Sequence, residues 1–247
     1  MTAVSPLLQK TEIIYPSADG EPVAETYDHL YAIVTTLEVI KQHLKQRRAT
    51  VLADQFLYYA LGFPKLRVAP DVMVIFDVEP GGRDNYKIWE EGQVPAVIFE
   101  MTSLSTQKED QIENKNLYES LEVQEYWLFD PKGEWIPEQL LGYRLVGDSY
   151  QAIADNCSEV LGLKLQVEGK LIGFYRQDNG QKLLIPDELA EALQQETLAR
   201  QQAEERAETE RQRAETERQR TETERQRAEE LEALLARYRE QFGDLNP

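Results

Sequence analysis

The chain has 247 residues, 27 of them basic and 45 acidic, for a formal charge of −18. That balance argues against a surface that holds polyanions everywhere, because phosphate contacts need local lysine and arginine. Its one cysteine, Cys157, excludes a disulfide framework and a zinc cluster and suits a reducing cytosol.

Composition divides the chain near residue 187. Up to Ile185 it is mixed and aromatic-rich, with 17 basic and 28 acidic residues; beyond, it turns to Glu, Arg, Gln, Ala and Thr. The expectation is a body over residues 1–186, long enough to bury a core unaided, and a charged helical tail over 187–247. The N-terminus lacks the basic start and apolar run of a signal peptide. Apolar runs such as Val72–Phe76 fall far short of the ~20 residues that cross a membrane. A soluble, cytoplasmic protein with no membrane partner is expected.

Residues 1–24 carry the turn formers Pro16, Ser17, Asp19, Gly20 and Pro22. Thr26 is placed to cap a helix on which Leu30, Ile33, Leu37, Ile40 and Leu44 make an apolar stripe. Lys45, Arg47 and Arg48 suit its C-terminal end. His29 sits on the first turn, where packing or capping is the simpler role. Glu21 and Glu25 precede it, as solvated turn residues or as carboxylates leaning into a metal site.

Val51–Leu61 reads as a strand ended by Gly62 and Pro64. Val68–Val78 reads as a second, apolar without alternation and so covered on both faces. Residues 81–92 form a loop in which Arg83, Lys87 and Trp89 belong either to a surface turn or to a substrate-contacting flap. Ala96–Met101 is a third strand. Thr106 and Glu109 have capping-box spacing, which predicts a helix to about Leu121 with Gln111, Lys115 and Tyr118 on one stripe. Glu125–Phe129 is a fourth strand. Shorter pieces follow at 140–146, 150–153, 163–167, 171–175 and 182–185.

From Arg206 the tail repeats R-A-E-T-E-R-Q every seven residues. Ala207, Ala214, Thr221, Ala228, Leu235 and Phe242 share one heptad position; Glu210, Glu217, Glu224, Leu231 and Tyr238 share the other. This seam is too polar for a strong coiled coil. Pairs such as Arg211–Glu215 and Arg213–Glu217 support a solvated helix instead. The apolar end, 231–242, could pair with a partner or with a second copy as a homodimer.

Asp71 stands at the entry of one buried strand and Glu100 near the end of the next. If the strands are neighbours, two carboxylates converge, which is costly in a low-dielectric site without a cation. Mg²⁺ or Mn²⁺ fits, since hard cations take carboxylate, carbonyl and water oxygens; the Met101 carbonyl is well placed. Such an ion could polarise a phosphoryl group. Lys115 could then balance the developing charge, with Gln111 and Tyr118 orienting the group.

The segments V-A-P-D-V-M-V-I-F, Y-K-I-W-E-E-G, I-F-E-M-T-S-L-S-T-Q-K-E-D, K-N-L-Y and V-Q-E-Y-W-L-F-D-P, with the stretch from Tyr15 to His29, resemble the Uma-type family. That family is placed among the PD-(D/E)XK restriction-endonuclease-like nucleases. The resemblance covers roughly residues 14–185. It implies an α/β fold, a mixed sheet flanked by helices, and Mg²⁺-dependent cleavage of DNA. It puts the superfamily's acidic pair on Asp71 and Glu100, as catalytic residues and metal ligands. The superfamily lysine two residues after the glutamate is absent, because position 102 is Thr. Lys115 matches the lysine that the Uma-type motif carries on the following helix, and His29 and Glu25 match its N-terminal motif.

Two readings follow. One is a metal-dependent endodeoxyribonuclease using Asp71, Glu100 and Lys115. The other is a non-catalytic interaction or scaffold protein that keeps the nuclease fold and binds through its tail. The acidic charge, Thr102 and the long tail favour the second; the intact acidic pair and Lys115 favour the first.

Overall fold

The computed structural model describes residues 13–18, 26–103 and 106–243. Glu21 and Glu25 lie outside them. The chain divides into two compact units, Met1–Asp187 and Glu188–Pro247.

The helices are α1 (Tyr27–His43), α2 (Ile88–Glu91), α3 (Lys115–Ser120), which follows a π-helical turn at Glu109–Asn114, and α4 (Pro186–Phe242). The strands are β1 (Ala49–Leu52), β2 (Leu57–Tyr58), β3 (Arg67–Val68), β4 (Val72–Phe76), β5 (Tyr86–Lys87), β6 (Val97–Met101) and β7 (Glu125–Phe129). They continue as β8 (Leu140–Val146), β9 (Ser149–Ile153), β10 (Cys157–Ser158), β11 (Leu163–Glu168), β12 (Leu171–Arg176) and β13 (Lys182–Leu183).

The centre of the first unit is a six-stranded sheet in the order β1-β4-β6-β7-β8-β9. β6 and β7 are parallel, joined through the π turn and α3; the other pairs are antiparallel. This is the mixed sheet expected for an α/β body. Alternate residues of each strand enter opposite cores. Val72, Val74, Phe99 and Trp127 pack with α1 residues Ile33 and Ile40 and with Leu163 and Phe174 of the second sheet, β10-β11-β12-β13. Met73, Ile75, Ile98, Tyr126 and Leu128 face the other way, toward Tyr118 of α3 and Tyr86. Covering on both faces is why β4, β6 and β7 read as unbroken apolar runs.

Thr26 caps α1 as expected, accepting from the His29 N–H at 3.4 Å. The helix buries Ala32, Ile33, Val39 and Ile40, whereas Leu30 of the expected stripe is 48% exposed. The strand expected over Val51–Leu61 is two strands, β1 and β2. Asp54 adopts φ 51° and donates its N–H to the Pro70 carbonyl, which turns the chain out of the main sheet. The run at Val68–Val78 is likewise broken at Pro70 into β3 and β4. β2, β3 and β5 make a small sheet, pinned by Tyr15, whose hydroxyl accepts from Gly62 N–H and whose ring packs on Tyr58 and Trp89.

The loop at 81–92 takes its surface reading. Arg83 holds Glu91 through two bonds of 2.7 and 2.8 Å, and Lys87 pairs with Glu90 at 3.0 Å. Gly142 is required where it stands: a Cβ there would come within 2.4 Å of the Trp127 ring.

In the second unit, the described side chains of α4 are exposed apart from the half-buried Glu188. Leu231, Leu234, Leu235 and Tyr238 are each at least 50% exposed. The Phe242 side chain is outside the described set. Ion pairs of the expected spacing form at Arg200–Glu204 and Arg225–Glu229. Among the described residues no helix is long and apolar enough to cross a membrane.

Candidate active site

Asp71 and Glu100 face each other at one end of the β4–β6 ladder. The last paired residues are Val72 and Phe99, so Asp71 and Glu100 are the next opposed pair in that antiparallel register. Their side chains bond the backbone across the gap. Glu100 Oε2 accepts from the Asp71 N–H at 3.0 Å, and Asp71 Oδ2 accepts from the Met101 N–H at 2.6 Å. The exchange locks both carboxylates in one place. It also sets two acids directly across from each other, an arrangement that is destabilising by itself.

Glu100 is 5% exposed. Burial, then the charges of Asp71 and Asp110, push its carboxyl well above the usual glutamate range. The Tyr118 hydroxyl opposes that rise by donating to Glu100 Oε1 at 2.7 Å. Burial and the Glu100 charge hold the Tyr118 phenol well above its ordinary value, so it stays a donor. Sequence reasoning gave Tyr118 only a helping part; the structure puts it in direct contact with the acid.

Asp110, itself buried, is a third acid beside this pair, and the sequence reading missed it. Burial raises its carboxyl, offset by the hydroxyls of Thr102 and Thr106 and by Asn114. Thr102, the residue in place of the superfamily lysine, therefore serves Asp110. Thr106 does not form the expected capping box: its hydroxyl accepts from Ser103 N–H at 3.0 Å. The signal for Asp110 was its spacing from Thr106, one turn on, which the capping-box assignment to Glu109 obscured.

Lys115 is held at an aromatic ring. Its ammonium sits 4.1 Å from the centroid of the Tyr143 ring on β8. Tyr143 pairs with Tyr126, two residues before Leu128, the partner of Glu100. By strand spacing that is roughly 12 Å from Glu100 along the same sheet face. The π-helical turn changes the expected stripe only ahead of α3: Gln111 is exposed, while Lys115 and Tyr118, one turn apart on α3, are half-buried and buried. His29 does reach the site, with Nε2 3.7 Å from Asp71 Oδ2. A role beyond capping and packing is therefore open to it.

Residues 5–171 match the family model described as "Uma2: Putative restriction endonuclease". The chain belongs to the Uma2 family. The matched span of this Uma2 chain holds Asp71, Glu100, Tyr118 and Lys115, and it ends before α4. The chain is also similar to a solved structure from Anabaena variabilis ATCC 29413, titled a putative nuclease belonging to DUF820. Identity is 17%, over 57% of this chain and 77% of that one, with a TM-score of 0.40. A search of curated proteins returned no match.

Among the described residues of this Uma2 chain, no three or more His, Cys, Asp or Glu side chains gather as a metal cage. A magnesium-type ion does not need one. It commonly takes one or two carboxylates and completes its shell with water and phosphate oxygen. Asp71 and Glu100 fit that requirement, being hard oxygen donors whose mutual repulsion a cation would relieve.

Proposed function

We propose that this chain is a divalent-metal-dependent endonuclease that hydrolyses DNA phosphodiester bonds at the Asp71–Glu100 pair. The observation that carries this reading is the placement of two acids opposite each other at a ladder end, one of them buried. A purely structural design would avoid that placement. Asp71 and Glu100 would hold Mg²⁺ or Mn²⁺. When bound, such an ion supplies positive charge to a phosphoryl oxygen and acidifies a water.

The chain's own residues do the positioning. Tyr118 orients Glu100 by its hydrogen bond, and the Met101 N–H orients Asp71. His29, with Nε2 3.7 Å from Asp71 Oδ2, lies within ion-pair range of that acid. Lys115, three residues before Tyr118, supplies the cation for charge building on phosphate once it leaves the Tyr143 ring. The exposed apolar residues Leu231, Leu234, Leu235 and Tyr238 of α4 offer a surface that a second copy or another partner could cover.

The test is plasmid nicking with Mg²⁺ or Mn²⁺ by wild type, Asp71→Ala and Glu100→Ala. Cleavage by wild type alone supports the reading. Equal cleavage in all three, or none in any, overturns it. One observation favours the second reading, an interaction protein on a nuclease fold: Lys115 is held at Tyr143 rather than at the acids. Tail-dependent capture of a partner without any cleavage would favour it.

A further inference from the structure

A groove of about 480 Å³ runs beside β1, the outermost strand of the main sheet. Its walls include Lys41, Lys45 and Arg47 on one side and Gly81 and Gly82 on another, with Gln55 toward one end. We propose that this groove binds a single strand of nucleic acid and feeds it toward the acidic pair. The proposal rests on the nuclease reading for its purpose but not for its test.

Charge comes first. The body is acidic by 11, yet residues 41–48 hold Lys41, Lys45, Arg47 and Arg48 with no acidic residue among them. Lys41, Lys45 and Arg47 are exposed. A polyanion repelled elsewhere finds its countercharge here. The carbonyl end of α1 disfavours an anion, but it is equivalent to only about half a charge; Lys45 and Arg47 outweigh it, and Lys41 adds its charge when it leaves Glu38, which it holds at 2.8 Å. Arg47 also carries a planar group suited to a base: its guanidinium lies 4.4 Å from the centroid of the Phe76 ring, and guanidinium planes stack on bases.

The far end of the groove has a complementary feature. Gln55 Oε1 is buried and, among the described residues, has no hydrogen-bond partner. Phosphate, an acceptor itself, does not satisfy it. A base amino group or a sugar hydroxyl does. Cations at one end and an unmet acceptor at the other describe a nucleotide strand better than an inorganic anion.

Direction follows from register. β1 runs along β4 with Ala49 opposite Phe76 and Leu52 opposite Met73. The Asp54 N–H donates to the Pro70 carbonyl. The Gln55 end of the groove therefore lies beside the segment that delivers Asp71. The Arg47 end lies about five strand residues away, roughly 17 Å, a span that several nucleotides of one strand can cover. A groove of this volume suits a small ligand or part of one strand rather than a duplex.

Fluorescence anisotropy of a labelled single-stranded 15-mer tests this, with the full chain in EDTA so that metal-dependent cutting does not intervene. Lys41→Gln/Lys45→Gln/Arg47→Gln should weaken binding at least tenfold at low salt. It should also reduce the log–log salt slope by about 2, as expected for three phosphate contacts on a single strand. Gln55→Ala should weaken binding severalfold with the slope unchanged. Far-ultraviolet circular dichroism and thermal melting of each variant establish that the fold is intact. Equal affinity and slope in wild type and triple variant overturn the proposal, as does a wild type that does not bind the strand. Preference for an extended peptide at the β1 edge over the oligonucleotide overturns it too. Failure of the nuclease reading shows separately, as absence of metal-dependent nicking in a wild type whose anisotropy still depends on these cations.

Discussion

The Tyr118 hydroxyl donates to Glu100 Oε1 at 2.7 Å, from a residue that is wholly buried. That bond ties α3 to the end of β6 and sets the direction of the acid. Tyr118→Phe keeps the ring packing and removes the donor. A buried carboxylate oxygen then loses its partner, which costs about 1–3 kcal/mol. Urea denaturation in EDTA should show a loss in that range, and nicking activity should fall with it. Unchanged stability would mean the bond does not form in solution.

Lys115 gives a separate prediction. Its contact with Tyr143 has a cation–π geometry worth about 0.5–2 kcal/mol. If the lysine serves the phosphate when substrate binds, Lys115→Ala should cut the cleavage rate by roughly 10²-fold or more while leaving Mn²⁺ affinity intact. Tyr143→Leu, which releases the ammonium and also loses ring contacts with Tyr126 and Tyr150, should cost stability without lowering the rate of the folded enzyme. Equal rates for wild type and Lys115→Ala would assign the lysine to packing.

Gly142 tests the core. An alanine Cβ would enter the Trp127 ring space at 2.4 Å. Overpacking of this kind costs about 1–3 kcal/mol. Gly142→Ala should lower the urea midpoint accordingly, and Gly147→Ala, with no heavy atom within 4 Å but φ 62°, should be destabilised through backbone strain alone.

The Arg83–Glu91 pair carries a pH signature. The Arg83 hydrogen bond holds the Glu91 carboxyl below its ordinary 4.5. With the folded value depressed, the unfolded chain binds more protons in the window between the two values. The pair's stabilisation is therefore present above the unfolded value and is lost as pH falls through the folded one. Glu91→Gln should destabilise the protein at pH 7, and the difference should shrink progressively as pH falls below the ordinary glutamate value, provided both remain folded. A difference that stays constant as pH falls would contradict the ion pair.

Much of the site was legible because its signals are short-range. Pro70 before Asp71 marks a strand entry, and an apolar run reaching Glu100 marks a strand end, so opposed carboxylates follow once the strands pair. The contact of Lys115 with Tyr143 was not legible, because it joins α3 to a strand far along the chain. Nor was the exposure of Gln111: a stripe drawn with α-helical spacing assumes one hydrogen-bond pattern, and the π turn at Glu109–Asn114 changes it before Lys115 is reached. The break between β1 and β2 escaped for a similar reason. Asp54 takes a left-handed φ of 51°, while its apolar flanks look like one strand. His29 was placed on the right turn, but its approach to Asp71 is a long-range contact across 42 residues, which periodicity does not encode.

Mn²⁺ titration by isothermal calorimetry tests the central claim most directly. Wild type should bind one ion in the absence of DNA, and Asp71→Asn should abolish that heat while keeping a folded spectrum. No heat from wild type, or the same binding in Asp71→Asn, would contradict a metal site at the Asp71–Glu100 pair.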